Sequence, residues 1–241
     1  MIQAIIFDIG GVLAHDVWEH LFLDDEGVRS KYPQLDAAEM FRWGKSVWET
    51  FAYVSETPEN DWRALERRYW DAFILFFRNQ LPASASSDEF IELSLKFFRP
   101  VEGMNALLEK LRAQKFTLGI CSDNNEFWYR RQAELVGFTK YIDADKIILS
   151  NRVGKSKRSA QFEMFDAVTR AVGVPKQNCV FVDDRATSIE RAQEFGMPGI
   201  LFPARAAFGA KYVETLIEKM KWDTDTGTAT LCGASVNTDS H

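Results

Sequence analysis

The chain has 241 residues, 46% of them hydrophobic and 27% charged, which is ordinary for a globular protein and enough to bury a sizeable core. The formal net charge of −6 argues against nucleic acid as a partner, because phosphate backbones select basic surfaces. No apolar run approaches the roughly 20 residues that a membrane-spanning helix requires.

The first predicted element is the apolar run Ala4-Ile5-Ile6-Phe7, which delivers Asp8 into the turn Ile9-Gly10-Gly11. A short apolar segment bounded by glycines reads as a buried strand of a parallel sheet. An Asp at its carboxyl end stands where open α/β sheets place their ligands; the blander alternative is an Asp that opens a turn. The N-terminus enters this strand with no basic stretch before it, so no signal peptide is expected. Residues 15–98 contain no good strand and instead show amphipathic helical patterns rich in aromatics, among them Trp18, Trp43, Trp48, Tyr69, Trp70 and Phe73. An all-helical domain inserted after the first strand is predicted, covering the carboxyl edge of the sheet. Aromatics at helical spacing read as its core rather than as a binding surface.

Strand-like runs follow at 116–121, 146–149, 179–182 and 199–202, separated by helical patterns at 101–114, 127–136, 161–172 and 187–195, with a last one at 207–220. Gly137, Gly173 and Gly196 stand where helices should end. Alternation of this kind predicts a Rossmann-like, doubly wound parallel sheet with helices on both faces. Residues 1–14 and 99–221 would form this core, residues 15–98 the helical cap, and residues 222–241, rich in Thr, Ser, Asp and Gly, a disordered tail. No internal repeat is present. Cys121, Cys179 and Cys232 have no metal-ligand spacing and read as reduced thiols of a cytoplasmic protein.

Three further polar sites fall at strand ends or in the loops between strands. Ser122 ends the second strand, Asp183 and Asp184 end the fourth, and the basic loop Arg152-Val153-Gly154-Lys155-Ser156-Lys157-Arg158 lies between them. In a parallel sheet these positions share one edge with Asp8. Three crowded carboxylates need a cation, and oxygen-only ligands select a hard one such as Mg²⁺. A hydroxyl and a lysine beside it are what a phosphoryl group requires. Each residue also has a plain reading: Ser122 as a helix N-cap, either lysine as solvated surface, and the acidic pair as caps of the next helix.

In ordered combination these motifs resemble the haloacid dehalogenase-like hydrolase superfamily over roughly residues 1–220. The resemblance places the family's nucleophile on Asp8, its Ser/Thr on Ser122, its acidic motif on Asp183 and Asp184, and its lysine on Lys157, with Lys155 as competitor. The lead-in Val153-Gly154-Lys155-Ser156-Lys157 and the helix entry Arg99-Pro100-Val101-Glu102-Gly103 are similar to the family's. The implied activity is a Mg²⁺-dependent phosphatase that forms an aspartyl-phosphate on Asp8, its metal held by Asp8, the Gly10 carbonyl, Asp183 and Asp184. Its substrate would be a small, apolar or other phosphorylated metabolite, with neither nucleic acid nor membrane as partner.

One departure bears on the chemistry. Family phosphatases typically carry an Asp two residues after the nucleophile as general acid/base, and this chain has Gly10. Losing a positioned acid typically costs about 10²–10⁴ in rate. A slow or selective phosphatase, one restricted to good leaving groups, and a degenerate protein that binds a phosphorylated ligand or a protein partner all follow from that change. Dehalogenation is disfavoured by the acidic pair, which would be unfavourable beside Asp8 without a cation. His15, His20 and Lys45 are further candidates for the cleft, each with a plain surface or structural alternative.

Overall fold

The computed structural model describes residues 2–52, 54, 61–202, 213–214, 220–222 and 229–231. Five strands form its main sheet: β1 (Ala4–Phe7), β2 (Thr117–Ser122), β3 (Ile147–Leu149), β4 (Cys179–Asp183) and β5 (Gly199–Leu201). All pairings are parallel and the order is β3-β2-β1-β4-β5. The chain steps outward from β1 through β2 to β3, then returns to the other side of β1 for β4 and β5. That reversal makes β1 the switch point at whose carboxyl end such sheets bind ligands.

The central strands are continuous apolar runs because both of their faces are covered. Alternate residues of β1 serve opposite layers. Ile5 and Phe7 pack with Leu107, Leu108 and Leu111 of α5 (Met104–Ala113). Ala4 and Ile6 pack with Met164, Phe165 and Val168 of α8 (Glu163–Val172) and with Ile189 and Ala192 of α9 (Ala186–Phe195). The remaining core helices are α6 (Glu126–Val136) and α7 (Ser150–Val153).

Element boundaries shift where the backbone does something a periodicity count does not see. The second strand runs one residue later than its apolar run, because the Phe116 N–H closes the end of α5 onto the Leu111 carbonyl at 3.1 Å after Lys115 takes a left-handed φ of 67°. Ser122 is thereby the last residue of β2. Helix α5 starts at Met104, not at 101, behind a left-handed Gly103. Helix α8 starts behind Phe162, itself left-handed at φ 58°. Where the tail was expected to lack regular structure, β6 (Met220–Trp222) pairs antiparallel with β7 (Ala229–Leu231); pairings this short carry no detectable period. The rest of that tail, with Cys232, and most of the helix expected over 207–220 lie outside the described residues. Cys121 and Cys179 are buried and free.

Between β1 and α5 lies the helical cap, with α1 (Val17–Leu23), α2 (Ala37–Ala52), α3 (Trp62–Phe76) and α4 (Ser87–Leu95) and no strand among the described residues. Most of its aromatics face inward, as expected, while Phe76 at the end of α3 is exposed. Trp70 and Tyr69 are fully buried and lie against each other, and Trp70 also meets Phe22, Phe73 and Phe90, with ring centroids 5.0–6.2 Å apart. The cluster extends into the core through Phe127 and Trp128 of α6. The two chain crossings between cap and core are tied together: the His15 N–H bonds the Arg99 carbonyl at 3.0 Å and the Val101 N–H bonds the Leu13 carbonyl at 3.1 Å.

Candidate active site

Asp8 follows the last residue of β1, its N–H bonded to the Val182 carbonyl at 2.9 Å. The chain then turns back at once: the N–H groups of Leu13 and Ala14 both reach the Ile9 carbonyl, at 3.0 and 2.9 Å. Gly11 makes the turn possible, with φ at +75° and no room for a side chain, since a Cβ there would stand 2.2 Å from Asp184 Oδ2. Gly10 differs. Its φ is not left-handed, and a Cβ added there meets nothing within 4 Å. The position two residues after Asp8 is open space, not a conformational requirement for glycine.

Lys157 stands at the centre. Its side chain is buried, with Nζ 2.5 Å from Asp183 Oδ2 and 3.1 Å from Asp8 Oδ1. Its N–H bonds Asp123 Oδ1 at 2.9 Å. Burial works against its charge, but Asp183, Asp8 and Asp123 together hold its pKa above the ordinary lysine value. Lys155 is exposed and joins none of these contacts; of the two lysines, Lys157 is the one brought to Asp8 and Asp183. The reason lies in the loop: after α7, a left-handed Gly154 reverses the chain and a turn brings the next inward position at Lys157.

The other residues read from sequence converge on the same edge. Ser122 is buried at the end of β2, and its hydroxyl acts on the Asp8 carboxyl to favour the charged form. It caps nothing; the N-cap of α6 is Asn125, whose Oδ1 accepts the Trp128 N–H at 2.8 Å. Asp183 is fully buried and accepts the Arg185 N–H at 2.8 Å. Helix α9 has no side-chain cap, so neither acid serves as one.

Asp8, Asp183 and Asp184 each offer an oxygen within 4.8 Å of the others. Burial pushes the Asp8 carboxyl upward and Asp183 adds to it, against Lys157 and the Ser122 hydroxyl. Asp184 is pushed up to about 8 by burial and by the charges of Asp8 and Asp183. Asp184 Oδ1 is buried with no hydrogen-bond partner among the described residues, whereas Asp8 Oδ1 is met by the Lys157 ammonium at 3.1 Å. An unpartnered Asp184 oxygen beside two further carboxylates that share one lysine is a donor set that fits a hard cation.

Some residues near this edge carried no assigned role in the sequence reading. Asp123 anchors the lysine loop. Asp16 caps α1 through Oδ1, which accepts the N–H groups of Trp18 and Glu19, and its Oδ2 lies 3.7 Å from Arg185 Nη2. Glu126, buried at the start of α6, accepts bonds from Asn151, Arg152 and Arg130 and so ties α6 to α7. Each is a polar residue directly beside a recognised motif, and that adjacency was the available signal. His15 and His20 pair with each other, ring nitrogens 3.3 Å apart, and His20 with Asp24 at 2.6 Å, at the cap crossing. Lys45 is exposed on α2.

Comparison with known proteins agrees with this geometry. Over 102 residues the chain is 30% identical to flavin mononucleotide hydrolase 1 of Arabidopsis thaliana, a match that covers 42% of this chain and 40% of the length of that relative. A HAD family enzyme of Bacteroides thetaiotaomicron, solved as a magnesium complex, superposes with a TM-score of 0.61 at 20% identity, covering 88% of this chain and 98% of that one. L-2-haloacid dehalogenase from Xanthobacter autotrophicus superposes at 0.58 and 15% identity, covering 91% and 82%. At such identities the structures establish the fold. The pattern of the haloacid dehalogenase-like hydrolases matches residues 2–196, and the chain belongs to that family.

Proposed function

We propose that the protein is a Mg²⁺-dependent phosphatase that works through a phosphorylated Asp8. One observation carries this reading: a buried carboxylate at the switch-point strand shares its site with a lysine, a hydroxyl and two further carboxylates, one of which, Asp184, has a buried oxygen with no partner among the described residues. A metal-free dehalogenase would have no use for the acidic pair and would bear its repulsion.

Asp8, Asp183 and Asp184, with the Gly10 carbonyl, would hold the ion. When bound, Mg²⁺ neutralises the clustered carboxylates and the charge of the incoming phosphate. An Asp8 carboxylate oxygen attacks phosphorus, the bond to the leaving oxygen breaks, and the acyl phosphate forms. Water then attacks phosphorus, and the phosphorus–oxygen bond to Asp8 breaks to release inorganic phosphate. The Lys157 ammonium and the Ser122 hydroxyl hold the phosphoryl oxygens through both steps. Residues 15–98 act as the cap that closes over the edge, on a core of 1–14 and 99–221. Most cap aromatics are buried and, among the described residues, the large apolar side chains exposed on the cap are Leu23, Leu75 and Phe76, a limited surface for a lipid-like leaving group. A compact metabolite phosphate is therefore favoured, and the Arabidopsis relative makes flavin mononucleotide a first compound to try.

The test is a hydrolysis screen of sugar, nucleotide, flavin and aryl phosphates with and without Mg²⁺. Turnover that requires Mg²⁺ and disappears in Asp8→Asn is expected. Calorimetry should show Mg²⁺ binding that weakens in Asp184→Ala. Tight phosphate-ligand binding with no turnover of any compound would favour a non-catalytic binding protein instead.

A further inference from the structure

The open space at Gly10 leaves the leaving group without an acid, and one side chain stands where it can take over part of that task. Arg185 follows the acidic pair directly, its backbone fixed by the 2.8 Å bond to Asp183 Oδ1. Its guanidinium turns back across the cleft mouth toward the first cap helix, where Asp16 Oδ2 lies 3.7 Å away. That exceeds the roughly 2.7–2.9 Å of a charge-assisted hydrogen bond. The other oxygen of Asp16 is occupied by the start of α1. The Arg185 side chain is 66% exposed, and its guanidinium makes no hydrogen bond given among the described residues. A cation is thus held at the rim, between the nucleophile's strand and the cap, with its donors uncommitted.

Loss of water works against the charge of Arg185, while the nearby carboxylates, Asp16 first, more than offset that loss.

We propose that Arg185 holds the leaving-group oxygen of the phosphoester and stabilises the charge that develops there, in place of the acid missing at Gly10. The proposal rests on the phosphatase reading above. As Asp8 bonds to phosphorus, the bond to the leaving oxygen breaks and its electron pair stays on that oxygen. Arg185 cannot surrender a proton near neutral pH, since its pKa exceeds about 12. It stabilises the oxyanion by N–H donation, and the oxyanion takes its proton from water. The substrates favoured are those whose leaving oxygen tolerates negative charge, and dependence on leaving-group acidity should persist in the wild type.

The test compares wild type, Arg185→Ala and Arg185→Lys on p-nitrophenyl, phenyl and alkyl phosphates at saturating Mg²⁺. Because an oxyanion donor typically contributes about 10²–10³ in kcat, Arg185→Ala should lose that much on alkyl phosphates, less than about tenfold on p-nitrophenyl phosphate, and little in KM. Arg185→Lys should recover part of the loss, and added guanidinium ion should partly rescue Arg185→Ala. The exposed position predicts an unchanged melting temperature. Equal loss across the series, or none, would overturn the assignment while leaving the phosphatase reading intact. Failure of the wild type to hydrolyse any of the phosphates would bring down both.

Discussion

The candidate active-site edge and the interior of the cap are both buried, yet opposite physics holds them. In the cap, Trp70, Tyr69, Phe22, Phe73 and Phe90 meet ring against ring, each contact favourable. At the edge, Asp8, Asp183 and Asp184 are crowded together beside Lys157, and a buried Asp184 oxygen has no partner among the described residues. The first arrangement is what a chain does to fold. The second is tolerated only because the sheet around it is fully packed, so the site's strain is set against stability supplied elsewhere. The difference teaches where substitutions should hurt activity and where they should hurt stability.

Crossing the two regions gives the largest expected effects. Asp8→Asn should lower turnover by more than about 10³-fold, because an amide is a poor nucleophile, yet leave the melting temperature unchanged or raised, since it removes one of the mutually repelling charges. Trp70→Ala should do the reverse in kind. It empties a fully buried site and should cost about 3–5 kcal/mol, measured by denaturant unfolding. An Asp8→Asn protein much less stable than wild type would mean that the ion pair with Lys157 holds the fold together, and the contrast would fail.

The same contrast explains what could be read from sequence. Strands β1 and β4 were legible because each is an unbroken apolar run ending in an acid, and a parallel sheet puts such ends on one edge. Asp8, Ser122, Asp183 and Asp184 could therefore be brought together before any coordinates. The choice of Lys157 over Lys155 was not legible, because it depends on a left-handed Gly154 and the turn after it. Nor was the open space at Gly10, because glycine in a turn suggests a required positive φ and only geometry shows that Gly11 carries it instead. Arg185 and Asp16 come from opposite sides of the cap crossing, 169 positions apart by their numbers; no local pattern links them.

Where the two regions meet, a smaller effect sharpens the comparison. Glu66 on α3 is buried and takes two bonds from Arg131 on α6, at 2.9 and 3.3 Å, with the guanidinium 4.8 Å over the Trp62 ring. Burial raises the Glu66 carboxyl above its ordinary value despite Arg131. The folded state therefore binds this proton more readily than the unfolded chain, and stability from this group falls as pH rises above about 4.5. Arg131→Ala, which leaves a buried carboxylate alone, should cost about 3–5 kcal/mol, whereas Glu66→Gln should cost far less. Chemical denaturation at pH 7 measures both. Equal losses would mean that the pair stabilises the cap outright.

The smallest expected effect lies at the crossing itself, where the cap's chain leaves and re-enters the core. His15 faces His20, whose other nitrogen is bonded to Asp24, and also feels Arg99 from the returning strand. Burial first, then His20 and Arg99, hold the His15 imidazole below its ordinary value of 6.5. The unfolded chain takes up this proton more readily than the folded one. The stabilising contribution is therefore complete above pH 6.5 and is lost as pH falls from there through the lowered value. The effect should be modest, because 1 kcal/mol moves the melting temperature of a chain this size by only about 2–4 °C. His15→Gln keeps a polar side chain at the crossing and removes the titration. Its melting temperature should decline less than that of the wild type between pH 7 and 5, while the two coincide near pH 7. Parallel declines would show that the histidine pair is a spectator, and that the crossing is held by its backbone bonds alone.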